Sequence, residues 1–362
     1  MSGSSKDRES KERGVHTLRE IRSQADSWEG VYQRIDRKAG ALIEAERESE
    51  HIVLAGCGSA FNVAHAASPI LQRATGKSCR PVHSSDLFLN PEMFLSSAAR
   101  TLAVVISRSG STTESVMAMR EAAKRDCRVL TVTCFPDSPM ALEADVALVL
   151  EEAGERSVTT TRSLTSMVLC GSFLGALWSG DEEAGLRLRR LPALARERMV
   201  MFEELGRELA GLGGVAKYAF VGSGGYYGLA REAQLKIKEM VLLPSDSYVS
   251  LDFQHGPMSN VDAAMLVSIL VSDSGRAYDA TLARNMRQLG GRTLVLCDSG
   301  KGEFSEGADF LLELDVGLED GIRDVLYMPV LQFMAYYRSM ATGNDPDNPR
   351  NLSYFVEVNP SG

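Results

Sequence analysis

No run of about 18 or more apolar residues occurs anywhere in the 362 residues, so no membrane-spanning helix is expected. Residues 1–13 are polar and charged and lack the apolar centre of a secretory signal. The six cysteines (Cys57, Cys79, Cys127, Cys134, Cys170, Cys297) form no CxxC pair. The five histidines (His16, His51, His65, His83, His255) show no ligand spacing with them. A zinc site is therefore not expected, and buried free thiols in a reducing cytoplasm account for the cysteines. There is no basic excess either. Against 48 Asp and Glu stand 39 Lys and Arg, a formal charge of −9, which argues against a general nucleic-acid binder. A local pocket can still oppose the net charge and take an anion.

Two nucleotide signatures are also missing. Gly56-Cys57-Gly58-Ser59 follows an apolar run but has Phe61 where a dinucleotide fingerprint needs its third glycine. No acidic ribose partner stands some 20 residues on, and Gly222-Ser223-Gly224 fails in the same way at Tyr227. No GxxxxGK[ST] segment is present. No cofactor and no metal are expected.

What the chain does have is alternation. Apolar runs at 52–55, 81–83, 101–106, 129–133 and 146–150 read as strands, each separated by a helix or a helix-length segment. Residues 16–49, 61–74 and a long apolar stretch after Thr161 read as helices. A charged helix over 182–212 leads to a second half with the same plan. Strands at 218–222, 265–271, 293–297 and 310–314 go with helices at 226–241 and 322–341. This pattern predicts an α/β protein built from two similar units, each a parallel sheet covered by helices on both faces. The boundaries read as a disordered tail over 1–15, an N-terminal helix with the first unit over 16–180, a linker helix over 181–212, a second unit over 213–340 and a C-terminal tail over 341–362.

The most informative segment is Ser107-Arg108-Ser109-Gly110-Ser111-Thr112, between the strand 101–106 and a helix starting near Val116. A strand-to-helix turn presents unpaired N–H groups and the positive end of the helix dipole. Adding Ser107, Ser109, Ser111 and Thr112 makes a cup for a phosphate-like anion. The plain alternative is a polar turn with a capping hydroxyl. The matching turn of the second half, Ser272-Asp273-Ser274-Gly275, lacks the Thr-Thr-Glu continuation, which puts the anion site in the first half. Glu232, Lys236 and Glu239 share one helix face at i, i+4 and i+7. Such a Glu–Lys pair is commonly mere surface support. His255, before Gly256-Pro257 in a loop, joins Glu239 as a candidate acid/base pair.

Taken together, Gly56-Cys57-Gly58-Ser59, Ser107-Arg108-Ser109-Gly110, Lys236-Ile237-Lys238-Glu239, His255-Gly256-Pro257 and Asp347-Asn348-Pro349-Arg350-Asn351-Leu352 resemble the tandem sugar isomerase (SIS) domain proteins. The resemblance runs over about residues 16–358. It extends to the isomerase half of glucosamine-6-phosphate synthase. Leu18-Arg19-Glu20-Ile21 and Ser85-Asp86-Leu87-Phe88-Leu89-Asn90-Pro91 are similar to the galactosamine-6-phosphate deaminase/isomerase (tagatose-6-phosphate ketose/aldose isomerase) group.

The resemblance implies flavodoxin-like three-layer α/β/α units and a cytoplasmic homodimer or higher oligomer acting on a phosphosugar. It implies that Ser59, Ser107, Ser109 and Thr112 hold the phosphate and that Val158 and Thr160 line the sugar. Glu239 is then the proton-transfer base, Lys236 contacts substrate or base, and His255 opens the ring from a neighbouring subunit. The tail with Ser353 and Tyr354 closes the site. Two departures qualify this. No cysteine directly follows Met1, so glutamine-dependent amination is not expected. Tyr354 stands where the synthase has an imine-forming lysine, and a phenol cannot form an imine. The implied reaction is aldose–ketose isomerisation or aminosugar-phosphate deamination. The alternatives are a fructosamine-6-phosphate deglycase, a sulfonate-bearing sugar as ligand, and a non-catalytic phosphosugar sensor.

Overall fold

A computed structural model describes residues 13–95, 100–300, 302–356 and 358. Among the described residues, ten strands form two five-stranded sheets with every pairing parallel. The N-terminal helices are α1 (Val15–Arg22) and α2 (Gln24–Arg47). The first sheet follows as β1 (His51–Gly56), α3 (Ser59–Thr75), β2 (Ser78–His83), α4 (Ser84–Leu89), β3 (Thr101–Ile106), α5 (Thr113–Lys124), β4 (Arg128–Thr133), α6 (Pro139–Glu143) and β5 (Val146–Val149). Three helices cross to the second half: α7 (Arg162–Ser179), α8 (Glu182–Leu188) and α9 (Leu191–Ala210). The second sheet comprises β6 (Lys217–Gly222), α10 (Gly225–Lys236), β7 (Ser245–Tyr248), β8 (Met265–Leu270), α11 (Arg276–Gln288), β9 (Arg292–Cys297) and β10 (Phe310–Glu313). Helix α12 (Met328–Ala341) closes the fold.

The two sheets run β2-β1-β3-β4-β5 and β7-β6-β8-β9-β10, the same order twice. Strands buried on both faces need unbroken apolar sequence. β3 and β8 are buried at every residue. One hydrophobic cluster joins the inner faces of both sheets, from Ile52, Leu54 and Val104 to Phe220, Leu266 and Leu296. Smaller clusters cover the outer face of each sheet. Helix α7 is buried along most of its length, as an all-round apolar helix must be. Helices α3 and α10 cross where Gly228 lies; a Cβ there would come within 2.4 Å of the Ala66 nitrogen. That close approach brings an element of the second unit against the first.

Several boundaries differ from the sequence reading. The expected 16–49 helix breaks at Ser23, and α1 begins at Val15, inside the expected tail. The Asp345 side chain accepts from the Gly14 nitrogen, so residues at the tail's edge are tied down. Residues 1–12 lie outside the described residues. The 182–212 segment is two helices, because Arg189 and Arg190 turn the chain and Pro192 opens a new first turn. β7 carries no apolar alternation and escaped detection. The expected 226–241 helix ends at Lys236 and widens into a π turn, Ile237–Val241, closed by a bond from the Leu242 nitrogen to the Ile237 carbonyl.

In each sheet, the order reverses beside its first strand, so loops after β1 and β3, and after β6 and β8, flank a crevice. The second crevice is lined by Ser223, Ser272, Ser274, Asp320 and Asp324. There the Asp320 carboxylate accepts from the Asp273 nitrogen (2.8 Å) and from Tyr226 Oη (3.0 Å). Arg323, 2% exposed, ion-pairs with Asp273 and Asp320, both at 2.7 Å. An internal carboxylate thus stands on the turn that resembles the anion cup of the first unit.

Burial pushes the Asp324 carboxyl up to about 6, with Asp320 adding to the rise and Gly321, Tyr226 and Arg323 opposing it. A raised native pKa contributes stability below the unfolded value and loses it as pH rises through the native one. Between about pH 4 and pH 6, this group therefore costs on the order of 2–3 kcal/mol. Asp324→Asn keeps an oxygen for the Gly321 nitrogen and removes the titration. Urea midpoints should show the variant gaining on wild type from pH 5 to pH 7.5; an unchanged difference contradicts the assignment.

Candidate functional site

The first crevice is a cleft of about 210 Å³ between the loops after β1 and β3. The sequence places five polar residues and one glycine in the β3–α5 turn, and the fold makes the hydroxyls of Ser107, Ser109 and Thr112 converge. Ser107 Oγ lies 3.1 Å from Thr112 Oγ1, and Ser109 Oγ lies 3.3 Å from it. The Gly110 nitrogen donates to Ser107 Oγ (3.2 Å). Gly110 has φ +64°, and a Cβ there would lie 2.2 Å from Ser138 Oγ, so only glycine fits this turn. Thr112 is the residue before α5, whose N-terminus faces the cup. Ser59, at the start of α3, forms the opposite wall.

The floor comes from the second unit. Lys236 is fully buried and its Nζ lies 3.1 Å from Glu232 Oε1, 2.6 Å from Glu239 Oε2 and 3.3 Å from Thr160 Oγ1. Glu232, also fully buried, accepts from Ser59 Oγ (3.0 Å) and Asn62 Nδ2 (2.8 Å). Thr160 Oγ1 donates to Ser59 Oγ (2.7 Å), which closes the ring of contacts. Burial pushes Glu232 up, with Glu239 adding and Lys236 opposing. Burial alone pulls the Lys236 ammonium down, but the two carboxylates outweigh it and the net shift is upward. Glu239 keeps 21% of its side chain exposed, within the π turn, and lines the cleft. π turns of this kind are frequent at functional sites.

The remaining walls are the 157–160 segment and the C-terminal segment. Val158, Thr160, Ser353 and Tyr354 all line the cleft, with Leu352, Phe355 and Val356. Glu20 of α1 supports the first of these by accepting from the Arg156 nitrogen and Ser157 Oγ, both at 2.6 Å. Nine sequence-nominated residues therefore share one cleft: Ser59, Ser107, Ser109, Thr112, Val158, Thr160, Glu239, Ser353 and Tyr354. Lys236 lies beneath it. His255 does not join them; it sits exposed between two short 3₁₀ turns, Asp252–Gln254 and Pro257–Asn260.

Two participants were not assigned to the site from the sequence. Glu232 was visible as an i, i+4 partner of Lys236, but spacing alone does not tell a buried pair from a solvated one. Asn62 gave no signal, since its role depends on α3 crossing α10. Among the described residues, no group of three or more His, Cys, Asp or Glu could hold a metal ion. Five cysteines are buried, and Cys57 lines the cleft.

Comparison with known proteins agrees with this fold. The family model described as "SIS domain" matches residues 47–177 and 215–340. The chain is 28% identical over 347 residues to a glutamine–fructose-6-phosphate aminotransferase (isomerizing) of Methanothermobacter thermautotrophicus, covering 94% of this chain and 57% of that protein. It is 29% identical over 353 residues to the protein of the same name from Aeropyrum pernix, covering 93% and 55%. The chain thus spans about half the length of these curated relatives. Among solved structures, tagatose-6-phosphate ketose/aldose isomerase from Escherichia coli superposes with a TM-score of 0.85 at 26% identity, covering 96% of this chain and 97% of that one. The C-terminal domain of the Francisella tularensis glucosamine-fructose-6-phosphate aminotransferase gives 0.81 at 22% identity, covering 96% and 100%, a likeness of fold.

Removing the ammonium leaves Glu232 buried without its cation. Lys236→Met should lose about 3–5 kcal/mol in urea unfolding at pH 7, and adding Glu232→Gln should recover much of it. A loss below about 1 kcal/mol would show that the pair is solvated.

Proposed function

The chain belongs to the SIS domain family, and we propose that it is a phosphosugar isomerase that interconverts the aldose and ketose forms of a hexose or aminohexose 6-phosphate. The observation that carries this reading is one cleft containing both a hydroxyl cup at a helix N-terminus and a carboxylate held at 2.6 Å by a buried ammonium. The cup, Ser107, Ser109 and Thr112 with Ser59 opposite, takes the phosphate through hydroxyls and the α5 dipole. Val158, Thr160, Ser353 and Tyr354 line the sugar.

With the sugar open, Glu239 takes the proton from C2 of the aldose. The C2–H electron pair becomes the C1–C2 double bond and the carbonyl π pair moves onto O1, which is protonated. The resulting enediol gives up its O2 proton to solvent water, which replaces the proton that O1 took from it, and collapses to the C2 ketone as the same carboxyl returns its proton to C1. A C2 amine gives an enolamine, then a ketose imine whose hydrolysis releases ammonia. Lys236 fixes the carboxylate that moves the proton, and Glu232 fixes Lys236. His255 assists ring opening from a neighbouring subunit, in keeping with its exposed loop outside this cleft. Tyr354 cannot form an imine, so the chemistry rests on acid/base transfer. A sensor would have no use for a partly exposed carboxylate on a buried ammonium, which favours an enzyme over a binding module.

General base catalysis contributes typically about 10²–10⁴-fold. Glu239→Gln should lower kcat by that order, with KM for the productive substrate little changed. The assay follows ketose phosphate and ammonia from glucosamine 6-phosphate and galactosamine 6-phosphate. Turnover within a few-fold of wild type removes Glu239 from the role.

A further inference from the structure

We propose that Arg108 is a positioning residue that latches the C-terminal segment across the cleft, so that ligand enters and leaves by breaking that latch. Arg108 sits in the middle of the hydroxyl turn, yet its guanidinium is committed elsewhere. It is 8% exposed. Its Nη1 donates to the Ser157 carbonyl (3.1 Å) and faces Glu155 Oε2 (3.5 Å). Its Nη2 donates to the Tyr354 carbonyl (2.9 Å), and the guanidinium lies 4.0 Å over the Tyr354 ring. Tyr354 Oη in turn donates to the Glu155 carbonyl (2.8 Å). The anion turn, the 157–160 wall and the tail therefore meet at one cation.

The tail needs such a latch. It is firmly anchored as far as Asp347, whose carboxylate accepts from the Thr17 nitrogen (2.7 Å) and hydroxyl (2.6 Å). The Asp347 carbonyl accepts from the Val158 nitrogen (3.0 Å). Beyond that point apolar burial is slight. Leu352, Phe355, Val356 and Val358 are 46%, 39%, 52% and 47% exposed. Among the described residues, the other hydrogen bonds tying this stretch down join it to Thr113: the Thr113 nitrogen donates to the Val356 carbonyl (3.4 Å), and the Val358 nitrogen donates to Thr113 Oγ1 (3.2 Å). A segment with few buried apolar contacts opens at low free energy, and its closed state depends on its polar ties. Leu352 to Val356 line the cleft, so opening the tail opens the site.

The kinetic half of the test rests on the phosphosugar reading; the proteolytic half does not. Native wild type, Arg108→Lys and Arg108→Ala would be digested briefly with chymotrypsin and the fragments weighed. Loss of a hydrogen bond to a charged group should speed cleavage at Tyr354 and Phe355 about tenfold or more in Arg108→Ala, and less in Arg108→Lys. In parallel, KM for the phosphosugar should rise about tenfold in Arg108→Ala, with kcat changed far less. A chain ending at Asn351 should show the same KM rise, and adding Arg108→Ala to it should change nothing more, because the two changes remove one interaction. If Arg108→Ala fails to fold with Glu155 left unpaired, Arg108→Lys carries both comparisons. Unchanged cleavage overturns the latch. So does an equal loss on adding the Arg108 substitution to the shortened chain, which would mean that the side chain acts on ligand directly. Absence of turnover on any phosphosugar overturns the proposed reaction and leaves the cleavage comparison to decide the latch.

Discussion

The site depends on one buried ammonium. Taking a Lys side chain out of water costs several kcal/mol even after relaxation, and only close carboxylates with their own hydrogen bonds offset it. Lys236 has Glu232 and Glu239, and Glu232 is completed by Ser59 and Asn62. The last two come from α3 in the first unit, and the charges come from α10 and the π turn in the second. The electrostatics are therefore satisfied only when the units are docked. Gly228 permits the docking by letting α10 approach the α3 backbone. The same contact that neutralises the ammonium completes the floor of the cleft.

Duplication placed two equivalent crevices in one molecule, and the chain treats them oppositely. In the first, the turn after β3 offers hydroxyls and a helix N-terminus to the cleft. In the second, Asp320 occupies the backbone donor of the corresponding turn, and Arg323 neutralises Asp320 and Asp273 together. Asp273 stays below its ordinary value because Arg323 outweighs its burial, whereas burial raises Asp320 despite the same cation. A turn already holding a carboxylate has little left for an external anion. The second unit contributes its helix to the neighbouring site instead.

How much of this was legible beforehand follows from the range of each interaction. Strands such as Thr101–Ile106 and Met265–Leu270 were readable because burial on both faces demands continuous apolar sequence. The hydroxyl turn was readable because its members are adjacent in sequence. β7 was not, because Ser245–Tyr248 is set by pairing with β6 rather than by its own composition. The π turn at Ile237 was hidden, since the i, i+4, i+7 spacing assumes a regular helix. The burial of Glu232 and the reach of Arg108 to Tyr354 depend on partners 170 and 246 residues away. No local pattern encodes such partners. Acidic and basic residues at helical spacing look the same whether they face water or another helix.

The distribution of charge around the cleft also orients whatever anion enters it. Among the described lining residues, Arg108 is the one cation, and its guanidinium is held by Glu155, the Ser157 carbonyl and Tyr354. Lys236 is enclosed by two carboxylates. A phosphate is therefore met by dipoles and hydroxyls rather than by a mobile cation, and dipolar sites are strong only where the donors point. Glu239 also lines the cleft, and its carboxylate repels a second anion. In the proposed function this charge pattern favours one orientation, with phosphate at the Ser107–Thr112 turn and the uncharged end of the sugar toward Glu239. In the proposed reaction that end carries C1 and C2, so the electrostatics that select the ligand also present the reacting carbons to the base.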